Sequence, residues 1–184
     1  MRELSLHILD IAQNSIAAKA SLLEILVEES PTQDLLTIQI TDNGKGMPPQ
    51  LVATVTDPFT TSRTTRKVGL GLPLFKAAAE ACGGFFHIWS QEERGTQVKA
   101  AFQFSHIDRA PLGDMASTIT SLVALNPEID ILYIHKYENR QVVLDTREIK
   151  SVLEVDTLTH PSVLAWMREY LQGGLETIKG EDDR

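Results

Sequence analysis

The chain has 184 residues, 42% of them apolar and 23% charged, a composition that fits a soluble globular protein with one domain or two small ones. Its net charge of −8 argues against nucleic acid as a partner, because binding to phosphates needs clustered lysine and arginine side chains. The single cysteine, Cys82, excludes an internal disulfide, and no run approaches the ~18 apolar residues that would predict a membrane span. We therefore expect a cytoplasmic protein that has no membrane partner.

The charge is distributed unevenly, which indicates two regions. Residues 1–110 carry 12 acidic and 10 basic side chains, a net charge of −2, whereas residues 111–184 carry 13 and 7, a net charge of −6. The stretch between Pro58 and Ala79 lacks acidic residues and has four cations, namely Arg63, Arg66, Lys67 and Lys76. This stretch is suited to phosphate.

The first predicted element is a helix over residues 3–19, because apolar residues recur there with helical spacing. Strands are predicted over residues 22–28 and 35–41, where apolar and polar residues alternate, and residues 29–32 form the turn between them. The sequence therefore begins with one helix and a β-hairpin.

The glycines and prolines of residues 43–69 predict a long irregular segment. A helix over residues 72–82 and strands over 85–90 and 97–104 follow, which completes an α+β sandwich. Beyond this sandwich the pattern predicts a helix over 112–125, strands over 129–136 and 142–145, a helix over 161–172, and a disordered tail over 179–184.

The sequence DNGKGM at residues 42–47 places a carboxylate at the end of a strand, before two glycines. Asp42 could accept a hydrogen bond from an exocyclic amine, and Gly44 and Gly46 would let the backbone pass close to a purine ring. Asn-Gly is also an ordinary turn signal, so this motif alone leaves a plain turn open.

A second glycine pair, Gly69 and Gly71, comes just before the predicted helix over residues 72–82. Free backbone amides at a helix start favour phosphate, although a helix start without a ligand is an equal alternative for the isolated motif. The preceding residues 57–67 add hydroxyl groups and cations that could donate to a triphosphate.

Asp10 and Asn14 lie four residues apart on the first predicted helix and thus share one of its faces. A carboxylate and an amide oxygen in one small volume could activate a water molecule and ligate Mg²⁺. The alternative is a polar stripe that faces solvent.

In this order the motifs resemble the GHKL ATPase superfamily of gyrase B, heat-shock chaperone, histidine kinase and mismatch-repair proteins. The resemblance runs from Leu6 to about Phe104 and is carried by LDIAQNSIAAKA, DNGKGM, DPFTTSR, GLGL and a closing Gly95-Thr96 pair. It implies a two-layer α/β sandwich of the Bergerat type, closest to the histidine kinase-like ATP-binding domain, with ATP and Mg²⁺ as cofactors.

The resemblance also implies roles for single residues. Asn14 would hold Mg²⁺, Asp42 would recognise adenine, and Asp10 would replace the usual glutamate as the catalytic residue. Because aspartate is one methylene shorter, slow hydrolysis is expected. The GLGL box would border the phosphates under a short lid over about residues 59–68. The remaining expected nucleotide-binding residues are Gly44, Gly46, Met47, Phe59, Thr60, Thr61, Ser62, Arg63, Gly69, Leu70, Gly71, Leu72 and Thr96.

The segment FSHIDRAPL at residues 104–112 resembles the phosphoacceptor box of histidine kinases, with His106 as the acceptor. In those kinases the box precedes the ATP domain, whereas here it follows the last predicted strand, and Ile107 replaces the usual acid. We therefore expect a connector between two regions and no phosphorylation of His106.

The predicted organisation is an ATP-binding domain over residues 1–108 and a small acidic α+β domain over residues 109–178. The second domain would be an interface for an unidentified protein partner or for a second copy in a homodimer. The expected function is Mg-ATP binding, with slow hydrolysis or nucleotide-dependent switching that regulates the partner. The alternative is a protein kinase that phosphorylates histidine, or serine in the manner of an anti-sigma kinase.

Overall fold

The computed structural model describes residues 3–59 and 69–180 and is built on one six-stranded mixed sheet with the strand order β3-β4-β2-β1-β5-β6. The strands are β1 (Leu22–Ser30), β2 (Leu35–Asp42), β3 (Phe85–Gln91), β4 (Gly95–Gln103), β5 (Asp130–Tyr137) and β6 (Arg140–Asp145). The helices are α1 (Leu4–Ala17), α2 (Pro49–Thr54), α3 (Gly71–Ala81), α4 (Met115–Leu125), α5 (Thr146–Leu153) and α6 (Pro161–Lys179). The expected α+β class is confirmed.

The periodicity of the first 42 residues correctly predicts a helix and a hairpin. In α1, Leu4, Ile8 and Ile11 lie on the core side and are at most 3% exposed. β1 and β2 pair in an antiparallel register that sets Ile25 opposite Ile40, so that the alternating apolar residues of both strands face the same core.

The hairpin of β3 and β4 extends the sheet on the other side of β2. Phe75 of α3 is fully buried between Phe86 and Phe102, with ring centroids 6.2 Å and 5.9 Å away. Burial of large aromatic side chains is a strong source of stability, and here it fixes α3 against the hairpin.

The C-terminal residues continue the same sheet. β5 pairs parallel with β1, and β6 pairs antiparallel with β5. Residues from α4, β5 and α6, such as Ile119, Tyr133 and Met167, belong to the same hydrophobic core as α1 and β2. The predicted domain boundary between residues 108 and 109 thus stays a prediction. One sheet contains strands from both sides of that boundary.

A buried polar network connects α6 to the sheet. Tyr133 Oη and Glu29 Oε1 each lie 2.6 Å from a ring nitrogen of His135, and Lys179 Nζ donates to Glu29 Oε1 over 2.8 Å. Burial lowers the pKa of His135, so the ring is neutral and can accept from one neighbour while donating to the other. The contact of Lys179 fixes the end of α6.

Several predicted boundaries were wrong for local reasons. The predicted irregular segment contains α2, which begins at Pro49, because proline fits the first helical turn. The unpredicted α5 begins where Asp145 accepts a hydrogen bond from the amide of Arg147. Lys179, predicted to begin a disordered tail, ends α6, and residues 181–184 lie outside the described residues. Within residues 3–59 and 69–180, no helix is long and apolar enough to cross a bilayer.

Candidate nucleotide site

A cavity of about 430 Å³ opens between α1, the ends of β2 and β4, and the loop that follows β2. Its lining combines an apolar floor with few polar groups, a composition typical of small-molecule sites. The lining residues are Ile11, Asn14, Ser15, Ala17, Ala18, Ile40, Asp42, Lys45, Gly46, Met47, Pro48, Leu51, Leu72, Glu92, Glu93, Thr96 and Val98.

Asp42 is the last residue of β2 and is only 9% exposed. Ser15 Oγ donates to its Oδ2 over 2.6 Å, and the amide of Gly44 donates to its Oδ1 over 2.9 Å. These two donors fix the plane of the carboxyl group. Each carboxylate oxygen keeps acceptor capacity for a further donor from the cavity.

Thr96 lies directly opposite Asp42, because β2 and β4 pair in that register. Its Oγ1 is 2.8 Å from Ser90 Oγ, which in turn accepts a hydrogen bond from the amide of Met47 over 2.9 Å. This chain of contacts holds the loop after β2 against the hairpin of β3 and β4. It therefore places Met47 and Thr96 at one side of the cavity.

Glycines allow this loop to pack closely against its surroundings. A Cβ at Gly46, where φ is +65°, would lie 1.9 Å from the carbonyl oxygen of Gln91. A Cβ at Gly44 would lie 2.7 Å from the carbonyl oxygen of Ala18, at the end of α1. Contacts within the protein thus require glycine at both positions, and the close approach to a purine ring stays a prediction.

Asn14 and Asp10 project from neighbouring turns of α1, yet only Asn14 lines the cavity. Asn14 is partly buried, whereas Asp10 is exposed. A Cβ at Gly71 would lie 3.1 Å from the Cβ of Asp10, so the GLGL box contacts α1 at this residue. The next residue, Leu72, is 3% exposed and completes the cavity wall.

Phe59, Gly69 and Leu70, which were also expected to bind the nucleotide, lie outside this lining. Phe59 is 94% exposed and Leu70 is 55% exposed. A Cβ at Gly69 would meet no atom within 4 Å. The rest of the expected lid lies outside the described residues, including Thr60, Thr61, Ser62 and Arg63.

Sequence reasoning missed Ser15 and Ser90, the two hydroxyl groups that position the site. Ser15 occupies the apolar stripe of α1, three residues after Ala12, and is 1% exposed. A buried hydroxyl needs a hydrogen-bond partner, so a serine in this stripe was a signal for a polar contact. Ser90 has no such signal, because its role depends on how the hairpin meets the loop.

The histidine of the 104–112 segment lies at the far end of β4 from Thr96. Residues 96–103 of this strand span about 23 Å at about 3.3 Å per residue. His106 Nδ1 accepts a hydrogen bond from the amide of Asp108, and Arg109 Nε donates to the carbonyl of Phe104 over 2.6 Å. In this structure, the segment forms a compact turn away from the cavity.

The same segment then reaches back to α1. The amide of Leu4 donates to the carbonyl of Pro111 over 2.9 Å, and the amide of Ser5 donates to the carbonyl of Leu112 over 2.8 Å. Helix starts leave such amides without partners inside the helix. The connector therefore caps the helix that carries Asn14 and Ser15.

The sheet with its helices and the cavity over the end of β2 define the Bergerat type of ATPase domain that the motifs indicated. Residues 2–106 match the family model "Histidine kinase-, DNA gyrase B-, and HSP90-like ATPase", and the chain belongs to this family.

Two curated relatives are described as kinases. A putative NtrY-like sensor histidine kinase of Rickettsia conorii is 27% identical over 109 residues, which cover 59% of this chain and 18% of that protein. Sporulation kinase D of Bacillus subtilis is 30% identical over 91 residues, which cover 50% of this chain and 18% of that protein. The chain thus matches less than a fifth of the length of each relative.

Among solved structures, the MutL ATPase domain of Aquifex aeolicus complexed with ADP superposes with a TM-score of 0.54. The match covers 84% of this chain and 70% of that chain at 16% identity. At this identity the likeness shows a shared fold.

Proposed function

We propose that the cavity binds ATP together with Mg²⁺ and that the bound nucleotide regulates a partner protein. The observation that carries the proposal is the buried carboxylate of Asp42, held by two donors at the wall of an apolar cavity. Family membership and the ADP named for the MutL neighbour support the same ligand class.

Asp42 would recognise the adenine ring. Its carboxylate can only accept hydrogen bonds, so it suits the exocyclic amine of adenine and opposes the carbonyl that guanine carries at the same position. Ile11, Ile40 and Val98 offer apolar contacts to a ring placed beside it. Preference for adenine over guanine nucleotides is the expected consequence.

The residues present fit a magnesium ion bound with its nucleotide. Mg²⁺ commonly takes one or two protein oxygens and completes its shell with phosphates and water. Asn14 would supply an amide oxygen from the cavity wall. No cluster of three or more histidine, cysteine or acidic residues suited to a metal occurs within the described residues, which agrees with an ion held mainly by its nucleotide. When bound, the ion would offset the negative charge of the phosphates.

Slow turnover is the expected activity. Asp10 is exposed and lies outside the cavity lining, although it contacts the GLGL box. A general base must come within hydrogen-bond reach of the attacking water, and a short side chain at this position makes that harder. A lid over residues 59–68 would close on the γ-phosphate through its hydroxyl groups and cations.

The connector supports a route from nucleotide to partner. It caps α1, which carries Asn14, and then enters the acidic C-terminal region. A shift of α1 on nucleotide binding would therefore change the position of residues 111–112. Regulation of a partner through the C-terminal region follows from this linkage.

Protein kinase activity is the second candidate, because one curated relative is named a putative sensor histidine kinase and another a sporulation kinase. Incubation of the pure protein with γ-labelled ATP and Mg²⁺ separates the two functions. Slow release of free phosphate with no labelled protein supports the switching ATPase. An acid-labile phosphoprotein that disappears in His106→Gln would instead establish a histidine kinase with a rearranged order of motifs.

A further inference from the structure

α5 presents an apolar stripe to solvent. Of its eight residues only Thr146 is buried, whereas Val152 is 81% exposed and Leu153 is 46% exposed. Ile149 lies one turn before Leu153 and lines the same side. Ile149 is partly buried and also packs against the core, whereas Val152 and Leu153 leave apolar surface in contact with solvent. Large exposed apolar patches mark binding sites.

α6 forms the opposite wall of a groove with a volume of about 440 Å³. Val163 and the half-exposed Trp166 line it. Trp166 stacks on Tyr170 with ring centroids 5.4 Å apart, and Tyr170 Oη donates to the carbonyl of Val143 over 2.8 Å. The sheet thus fixes the aromatic wall in place, and a rigid aromatic anchor is typical of protein interfaces.

The charges around this groove leave a negative rim. Arg147 pairs with Asp145 and Lys150 pairs with Asp130, each over 2.8 Å. By contrast, Glu148, which lines the groove, has no ion-pair partner among residues 3–59 and 69–180. The same holds for two glutamates close to lining residues in the chain, namely Glu154, which follows Leu153, and Glu169, which comes three residues after Trp166 in α6. The local cations are therefore engaged, while acidic groups flank the apolar surface.

We propose that the groove between α5 and α6 binds an amphipathic helix of a partner protein that carries lysine or arginine beside its apolar face. The apolar side of such a helix would cover Val152, Leu153 and Trp166, and its cations would meet the glutamate rim. A second copy of this chain would set the same acidic rim against itself, and an anionic membrane would be repelled. The proposal goes beyond nucleotide binding and does not depend on it.

The test uses the full chain without nucleotide and a fluorescein-labelled peptide of about four helical turns. The peptide places leucine at helical spacing on one face and lysine on the other, and its binding is followed by fluorescence anisotropy. Val152→Asp and Trp166→Ala are each expected to weaken binding by about tenfold or more. Leu125→Asp changes an exposed leucine of α4 outside the groove, and it should bind like the parent.

A second peptide with glutamate in place of each lysine is expected to bind about tenfold or more weakly than the lysine peptide. The proposal is overturned if neither peptide binds saturably, if both bind equally, or if Val152→Asp and Leu125→Asp behave alike. It is also overturned if sedimentation shows a dimer of the parent that Val152→Asp abolishes, because the groove then binds a second copy. Binding to phosphatidylglycerol vesicles that depends on Val152 would likewise replace the proposal with a membrane surface.

Discussion

Ser15 tests whether the geometry around Asp42 matters, because its hydroxyl is the side-chain group that holds the carboxylate. The hydrogen bond from Ser15 Oγ to Asp42 Oδ2 is 2.6 Å long and buried. A hydrogen bond to a charged group contributes about 1.5–3 kcal/mol, so Ser15→Ala should lower the free energy of unfolding by about that amount. Urea denaturation without nucleotide measures this loss.

Nucleotide affinity should fall less than stability in Ser15→Ala, by about two- to tenfold, which corresponds to about 0.4–1.4 kcal/mol. The reason is that the amide of Gly44 still holds Oδ1 and keeps the carboxylate near its place. Calorimetric titration with Mg-ATP measures the dissociation constant.

The chain offers a matched control for this experiment. Ser117 Oγ also donates to an aspartate, Asp114 Oδ2, over 2.6 Å, but this pair is exposed. Ser117→Ala should cost less than about 1 kcal/mol, because water replaces the lost partner. If Ser15→Ala is as mild as Ser117→Ala and leaves ATP affinity unchanged, Ser15 does not position the carboxylate and the reasoning is wrong.

Three further outcomes are expected. Asn14→Ala should lose the Mg²⁺-dependent part of ATP affinity in calorimetry, whereas Asp10→Asn should bind ATP normally and release no phosphate; equal turnover would exclude Asp10 as the base. Tryptic cleavage within residues 59–68 should slow when a non-hydrolysable ATP analogue is added, and an unchanged rate would argue against a nucleotide-gated lid. Burial lowers the pKa of His7, so the unfolding free energy should fall as the pH drops below about 6.5. The fall should be shallower in His7→Phe, and equal slopes in chemical denaturation would contradict this.

Local sequence patterns predicted most helices and strands, but they did not predict how these elements pack against or pair with one another. The alternation in β1 and β2 follows directly from burial of one sheet face, and so the hairpin was predictable. The parallel pairing of β5 with β1 joins residues more than 100 positions apart, and no local pattern encodes it. α5 was missed because it is only eight residues long, so that its three large apolar residues, Ile149, Val152 and Leu153, give a short helical pattern.

The residues of the candidate site could be predicted from the sequence, but their arrangement could not. Motif order indicated Asn14, Asp42 and Thr96, and the structure brings all three to one cavity. Their proximity depends on the register between β2 and β4 and on the packing of α1. Both are features of the tertiary structure, which local sequence patterns do not encode. Ser90 contributes only through such packing, and therefore no residue pattern pointed to it.

Calorimetry of Asp42→Asn with Mg-ATP tests the central claim most directly. In Asp42, each carboxylate oxygen accepts a hydrogen bond from the protein. Asparagine replaces one of these oxygens with an NH2 group, which is a donor, so at that position two donors would face each other. The expected loss is about 1–3 kcal/mol of binding free energy, or about five- to 150-fold in the dissociation constant. Asp108→Asn, which changes an exposed aspartate far along the chain, should bind like the parent. Undiminished affinity in a folded Asp42→Asn protein would contradict the adenine site proposed for this cavity.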